Sequence, residues 1–304
     1  MTRAPELPAP APVRPAPSGE HRPQRRGSDR RRASDLLVVV PTFLVLGLIA
    51  FPAVWMVFTS LRPPQSLATQ VPFTQMFDGL SLEAYSRLFD GSSFGRYVGN
   101  SLVVSLVSTA CTVVLASVAA YGLSRFRFRL RGSIVLLVIA TQLLPFVVLI
   151  TPIYIAFAEM GLLNSYVGLV VVYTAMTLPL AIVLTLGYFE SIPQVLDEAA
   201  RIDGCSTLGV IFRVIIPVAA PGIVTVAVTT FIATWEEYLF ASVLMTTDEL
   251  KTVQVGLAGY FGEYATDWSL IMAGATVAAV PTLILFAVVQ KRIVSGLSAG
   301  SVKG

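Results

Sequence analysis

The stretch Ser191–Pro221 reads SIPQVLDEAARIDGCSTLGVIFRVIIPVAAP. It lies between two long apolar runs, is too polar to sit in lipid, and is too patterned for a slack loop. Ser191, with Gln194 three residues on, predicts a capping box, and Pro193 falls in the first turn, where its missing N–H costs nothing. The helix is expected to run to about Asp203 and to stop at Gly204, which can adopt the left-handed conformation of a C-cap. Ser206 or Thr207 then caps a second short helix that ends near Pro217. The loop therefore reads as helix–turn–helix, with Glu198, Ala199 and Ala200 just before the turn. Asp197 and Glu198 both have Arg201 within reach, so a local ion pair worth ~0.3–0.5 kcal/mol is expected. Asp203, in the last turn, opposes the helix dipole at a cost of ~0.3–1 kcal/mol.

The rest of the chain shows why such a loop stands out. The protein has 304 residues, of which 55% are hydrophobic and 13% charged, and its mean hydropathy is +0.76. Apolar runs long enough to cross a bilayer recur along it. The expected fold is all-α: a polytopic transmembrane helical bundle with six spans, at roughly 36–60, 98–123, 133–157, 166–189, 220–245 and 268–290. Residues 1–34 form a basic, Pro-rich tail expected to be disordered. Residues 35–290 make the six-span domain, with the loop at 190–217 on its cytoplasmic side, and 291–304 form a C-terminal tail. Seventeen of the Lys and Arg residues fall in the two tails and the loops at 125–131 and 190–217, against four on the opposite side. That asymmetry places both termini and the central loop in the cytoplasm of a cell-membrane protein.

Several function classes are excluded. The single histidine, His21, lies in the N-terminal tail, so no His-based metal cluster or Ser-His-Asp triad can form in the spans. No G-x-x-x-x-G-K phosphate loop occurs. Cys111 and Cys205 imply no disulfide framework. The alternating run Arg125–Arg131 reads as an interfacial anchor, with rings among headgroups and arginines in water. Prolines at 41, 52, 145, 152, 179 and 281 each free a carbonyl and permit a kink.

Glu198-Ala199-Ala200, Gly204 and Val214-x-Ile216-Pro217 resemble the EAA–G–I-x-L-P loop of permease subunits of ATP-binding-cassette (ABC) importers. Val214 for Ile and Ile216 for Leu are conservative departures. Arg201-Ile202-Asp203-Gly204 narrows the likeness to the carbohydrate class, the maltose-permease type. Asn100-Ser101, Ala120-Tyr121, Leu144-Pro145, Gly161-Leu162-Leu163-Asn164 and the tail Gln290–Gly304 are similar to segments of the same family. The resemblance implies a chain that forms half of a translocation path for a sugar or related polyol and performs no covalent chemistry. It implies as partners a second homologous permease subunit, two ATPase subunits and an extracytoplasmic substrate-binding protein, within a lipid bilayer and without nucleic acid. No cofactor is expected on this chain; ATP and Mg belong to the ATPase subunits. Coupling to them is expected through Glu198, Ala199, Ala200, Asp203, Gly204 and Pro217. In the resembled family the extreme C-terminus reaches into the ATPase dimer, which points here to Gly296, Gly300 and Lys303 as a flexible contact.

Trp235-Glu236-Glu237-Tyr238 stands where that family has Trp-Asn-Glu-Phe/Tyr. An acidic residue at mid-helix in a bilayer costs ~2.5–3.5 kcal/mol, so Glu236 and Glu237 must face protein or water. They point to different sides, Glu237 with Thr230 and Thr234, and Glu236 with Thr225 and Thr229. Two readings are open. Glu236, Glu237, Tyr238, Thr230, Thr234 and Gln142 line the sugar path, or the glutamates make interhelical contacts, for example to Gln142 or Tyr173. A rival function, a proton-coupled secondary transporter using these glutamates, leaves the cytoplasmic loop without a role. The expected topology has a direct check. A Ser92→Cys variant should react with an impermeant maleimide from outside intact cells and a Ser301→Cys variant should not; the reverse pattern refutes it.

Overall fold

In the computed structural model, residues 27–63, 79–90, 92–261 and 267–300 are described, and among them every regular element is helical. Contacts divide the chain into two units, Met1–Pro52 and Ala53–Gly304. The described part of the first unit belongs to helix α1 (Gly27–Ser60). This helix starts ahead of the expected boundary at residue 34, so residues 27–34 are helical rather than disordered; the tail before them lies outside the described residues.

The second unit continues with α2 (Glu83–Asp90), α3 (Phe94–Arg125), α4 (Arg131–Thr141), α5 (Phe146–Glu159) and α6 (Tyr166–Glu190). The central loop contains α7 (Val195–Ile202), α8 (Thr207–Val210), a π-turn (Ile211–Ile215) and α9 (Ile216–Val218). Then come α10 (Ala220–Trp235), α11 (Leu239–Leu244), a 3₁₀ turn (Asp248–Leu250), α12 (Val253–Ala258) and α13 (Trp268–Gly300). Among the described residues, four segments can cross a membrane unbroken by length and apolarity: Val38–Ser60, Phe94–Arg125, Tyr166–Glu190 and Trp268–Gln290. Six crossings result when each of two bent helix pairs counts as one.

Two expected spans are corrected. The run 133–157 is two helices, α4 and α5, meeting at 90°. The break falls at Gln142–Pro145, where Pro145 lacks an N–H and pushes Leu144 out of helical geometry. The other prolines in the spans, Pro41, Pro52, Pro152, Pro179 and Pro281, stay inside continuous helices. The run 220–245 stops being helical at Trp235 and resumes at Leu239. At its other end, α10 meets the preceding helical stretch at 89°.

Packing within the second unit rests on α3 against α6. Small residues on α3, including Ala116 and Ala120, are buried against Ala181, Leu186 and Phe189 of α6, and small side chains are what let helix backbones approach in lipid. A hydroxyl–hydroxyl bond, Thr112 Oγ1 to Thr177 Oγ1 at 2.9 Å, crosses the same interface. Large apolar side chains such as Leu106, Leu136, Val147 and Leu283 remain exposed, as expected of faces solvated by lipid tails.

The loop around the 3₁₀ turn is fixed by the polar side chains of Asn100 and Ser101. Asn100 Nδ2 donates to the carbonyls of Glu249 and Lys251, both at 2.9 Å, and its Oδ1 accepts from Tyr166 Oη at 2.8 Å. Ser101 Oγ accepts from Val253 N at 2.8 Å. In the adjoining loop, Lys251, and then the Tyr97 hydroxyl, hold the Asp248 carboxyl below its ordinary range. Gly161 (φ 67°) ends α5 in left-handed geometry, with Leu162 N donating to Phe157 O at 2.8 Å. Asn164 (φ 51°) then ties this turn to the chain after α11: its Oδ1 accepts from Thr246 N at 2.7 Å and Thr247 N at 3.0 Å, and its own N–H donates to Leu244 O at 2.9 Å. Asn164→Ala removes the acceptor and places a Cβ residue without a local hydrogen bond at positive φ. The expected loss is about 1–3 kcal/mol, read as a lowered thermal midpoint in detergent; an unchanged midpoint contradicts the role given to Asn164.

Candidate functional site

The central loop is built differently at its two ends. Ser191 does not cap α7. Its hydroxyl donates to Tyr188 O at 2.7 Å and closes the preceding helix instead. Gln194 occupies the N-cap position with helical φ and ψ and makes no side-chain capping bond. The expected capping box is therefore absent, because its serine is engaged one turn too early. The other end follows expectation. Gly204 has φ 84°, its N–H donates to Arg201 O at 3.0 Å, and Cys205 N donates to Ala200 O at 3.0 Å. This is the paired-bond Schellman arrangement. Ser206 accepts from Gly209 N at 3.2 Å and opens α8. The helical stretch then ends at Val218, next to Pro217 as expected. The π-turn, in which Ile216 N reaches back to Ile211 O, absorbs the irregularity, and the chain bends at Ala219.

On α7 the side chains sort by face. Glu198, Ala199, Asp203 and Gly204 are exposed, and so is Pro217 on α9. Ala200 is buried in the core with Phe189, Ile192 and Ile211; it anchors α7 inward and does not offer room to a partner. The most exposed apolar side chain of the loop is Ile202, 86% exposed, with Val195 at 68%. Its prominence is the feature that sequence reasoning passed over, although an apolar residue beside the helix-ending glycine was visible.

The expected ion pair is also redirected. Asp197 pairs with Arg125, at 3.0 Å between Oδ2 and Nε, and not with Arg201. Both side chains are buried, at 8% and 7% exposure. Arg125 also donates to Phe189 O at 3.1 Å and Ile192 O at 3.2 Å. It is therefore withdrawn from water, unlike the rest of the arginine-rich run, whose residues Phe126–Leu130 are exposed. Arg201 instead donates to Tyr121 Oη at 3.4 Å. Gly296 and Gly300 lie within α13, which stays helical to Gly300 and is not the flexible strand expected there. Lys303 lies outside the described residues.

A second candidate site lies inside the helical unit. A cavity of about 190 Å³ is lined by Gln142, Tyr173, Thr177, Thr229, Thr230, Thr234 and Glu237 among apolar residues such as Phe146, Met176 and Leu180. It thus brings together Gln142, Thr230, Thr234 and Glu237 as expected. Tyr238 is exposed and lines no part of it. Glu236 caps the end of α10 and lines a separate cavity with Gln254 and Thr282. Trp235 stands at this divide, buried, stacked on Phe231 and bonded through Nε1 to Ala278 O at 2.9 Å. Thr229, expected beside Glu236, lines the first cavity instead, because the helix stops before the glutamates and the helical projection fails there.

Glu237 belongs to both readings left open above. Its Oε1 accepts from Phe240 N at 2.8 Å, and its Oε2 accepts from Ala241 N at 3.1 Å and from Tyr173 Oη at 2.8 Å. It closes the first turn of α11, makes the expected contact to Tyr173, and still borders the cavity. Thr234 returns its hydroxyl to its own helix, at Thr230 O and Phe231 O, as does Thr177 at Tyr173 O.

Known proteins place this architecture. Residues 112–298 match the family model described as binding-protein-dependent transport system inner membrane component. The sulfoquinovosyl glycerol transport system permease protein of Agrobacterium fabrum is 38% identical over 267 residues, covering 88% of this chain and 93% of that protein. The trehalose/maltose transport system permease protein of Thermococcus litoralis is 33% identical over 273 residues, 88% of this chain and 97% of that one. Among solved structures, a bacterial ABC transporter involved in the import of the acidic polysaccharide alginate shares the fold with a TM-score of 0.71 at 23% identity, over 89% of this chain and 99% of that chain. The match spans more than half of the sequence and takes in the central loop, both cavities and the last span. The chain belongs to the family of inner membrane components of binding-protein-dependent transport systems.

Proposed function

We propose that this chain is the permease subunit of an ABC importer that carries a sugar or glycoside, with both termini and the central loop in the cytoplasm. The observation that carries the reading is the face presented by α7. Glu198, Ala199, Ile202, Asp203 and Gly204 are all exposed, on or just past a helix that the Asp197–Arg125 pair joins to the bundle. An exposed isoleucine beside two carboxylates, on a loop between membrane helices, fits a protein partner with an apolar pocket and basic residues. Asp203 supports this, since its charge at the helix C-terminus is offset by such a partner. The partners follow as two ATPase subunits on this face, which hold ATP and Mg, a second permease that completes the path, and an extracytoplasmic binding protein. The hydroxyl, amide and carboxylate groups of the 190 Å³ cavity suit a polyhydroxylated cargo, in keeping with the glycosides named for the relatives. A proton relay has little support, since Glu237 already accepts three hydrogen bonds.

The test is sugar uptake with ATPase co-purification alongside. Glu198→Lys reverses a charge at the contact. Gly204→Val places a β-branched residue at φ 84°, where only glycine is unstrained. Both variants should insert in the membrane, yet uptake should fall about tenfold and ATPase subunits should be lost or weakly held. Normal uptake with the ATPase retained in both variants would reduce the loop to a structural connector.

A further inference from the structure

A docking helix transmits motion only if it cannot slip against the spans that must move. We propose that Arg125 is the positioning residue that locks α7 to α3 and α6, so that the three respond to the ATPase as one body. The inference rests on the reading of α7 as the docking helix. Arg125 is the last residue of α3, and its guanidinium meets one carboxylate and two carbonyls contributed by α6, the turn after it and α7. These are the Asp197 carboxylate on α7 at 3.0 Å, Phe189 O at 3.1 Å in the last turn of α6, and Ile192 O at 3.2 Å just beyond it. Phe189 O also accepts from Ile192 N at 3.2 Å, whereas Ile192 O lies past the end of α6, beyond the reach of its backbone ladder. A planar guanidinium can donate to both carbonyls while its charge faces the Asp197 carboxylate, whereas a lysine ammonium offers a single point.

Tyr121, one turn earlier on α3, adds a second hold through its contact with Arg201 at 3.4 Å. The docking helix is therefore gripped at Asp197 and again at Arg201, one turn apart, with Ala200 packed between them into the core. The neighbouring pair Arg131–Glu190 joins the same region but is 38% and 47% exposed, so water and salt weaken it. Stability alone does not explain the buried pair. Apolar residues of similar size would hold a packed interface as well or better, and a buried charge pair is best used to fix one geometry. What this pair fixes is the register of the exposed face of α7 relative to the spans.

The test uses the whole importer complex in liposomes, comparing wild type, Arg125→Lys and Asp197→Asn, with Glu198→Lys as docking control. In the Arg125 and Asp197 variants the ATPase subunits should still co-purify and hydrolyse ATP, while cargo taken up per ATP falls about tenfold. Glu198→Lys should instead lose the ATPase subunits; if it keeps them, the docking reading fails, whatever the Arg125 variants do. Uptake per ATP equal to wild type in both Arg125→Lys and Asp197→Asn overturns the inference. Should neither variant accumulate, spin labels on Gly187→Cys and Asp203→Cys, with Cys111 and Cys205 replaced by serine, decide the question. An unchanged distance between nucleotide-free and nucleotide-bound states supports a single body, and a shift of about 5 Å or more, the size of a one-turn slip, overturns it.

Discussion

A carboxylate buried as deeply as Asp197 must have a cation beside it. Taking such a group out of water costs several kcal/mol, and the loss is recovered only when its partner is close and itself hydrogen-bonded. Arg125 is that cation, at 3.0 Å, and two of its N–H groups donate to the carbonyls of Phe189 and Ile192. The contact with Asp197 is Coulombic rather than an aligned hydrogen bond, since Nε and both carboxylate oxygens make no hydrogen bond of their own. Removing either partner would leave an unpaired charge in the core, so the two residues hold this end of the bundle in one arrangement. Everything exposed on α7 inherits its orientation from that pair.

The same accounting of polar groups explains the cavity. In lipid, backbone can leave helical geometry only where it is buried in protein or borders water. Among the described residues, the expected spans 133–157 and 220–245 are interrupted at Gln142–Pro145 and at Glu236–Tyr238. One residue from each, Gln142 and Glu237, lines the same cavity. Glu237 supplies acceptors for the backbone N–H groups of Phe240 and Ala241 that the second break leaves open. The breaks and the polar cavity are thus one feature: the irregular backbone needs polar neighbours, and those neighbours supply groups that can meet a hydroxylated cargo.

Local chemistry was legible in the sequence wherever one residue decides the geometry. Gly204 ends its helix in left-handed conformation, and Ser206 caps a helix, because these effects act within a few residues. Hydropathy likewise located the spans, since length and apolarity are properties of the chain itself. Competition between neighbours was harder to read. Ser191 had two backbone partners within reach and took the upstream one. Pro145 broke its helix while Pro152, a few residues on, did not. Asp197 had a local partner in Arg201 and chose Arg125, seventy-two positions away in the sequence, because only the folded chain brings that arginine into a dry site. The alternation of Arg125–Arg131 suggested a single environment for all four arginines, and the end of α3 gives the first of them a different one.

The central claim is that the exposed end of α7 meets an ATPase subunit, and proximity tests it most directly. Cys111 and Cys205 are free and would be replaced by serine, with Ile202→Cys introduced as the single thiol. A short bifunctional reagent carrying a thiol-reactive and a photoactivated group would then be applied to the assembled complex in membranes. The account predicts a cross-link to the ATPase subunit that disappears when Glu198→Lys is added. Efficient labelling of Ile202→Cys with no cross-link to that subunit, or with a cross-link only to a protein on the opposite side of the membrane, would contradict it.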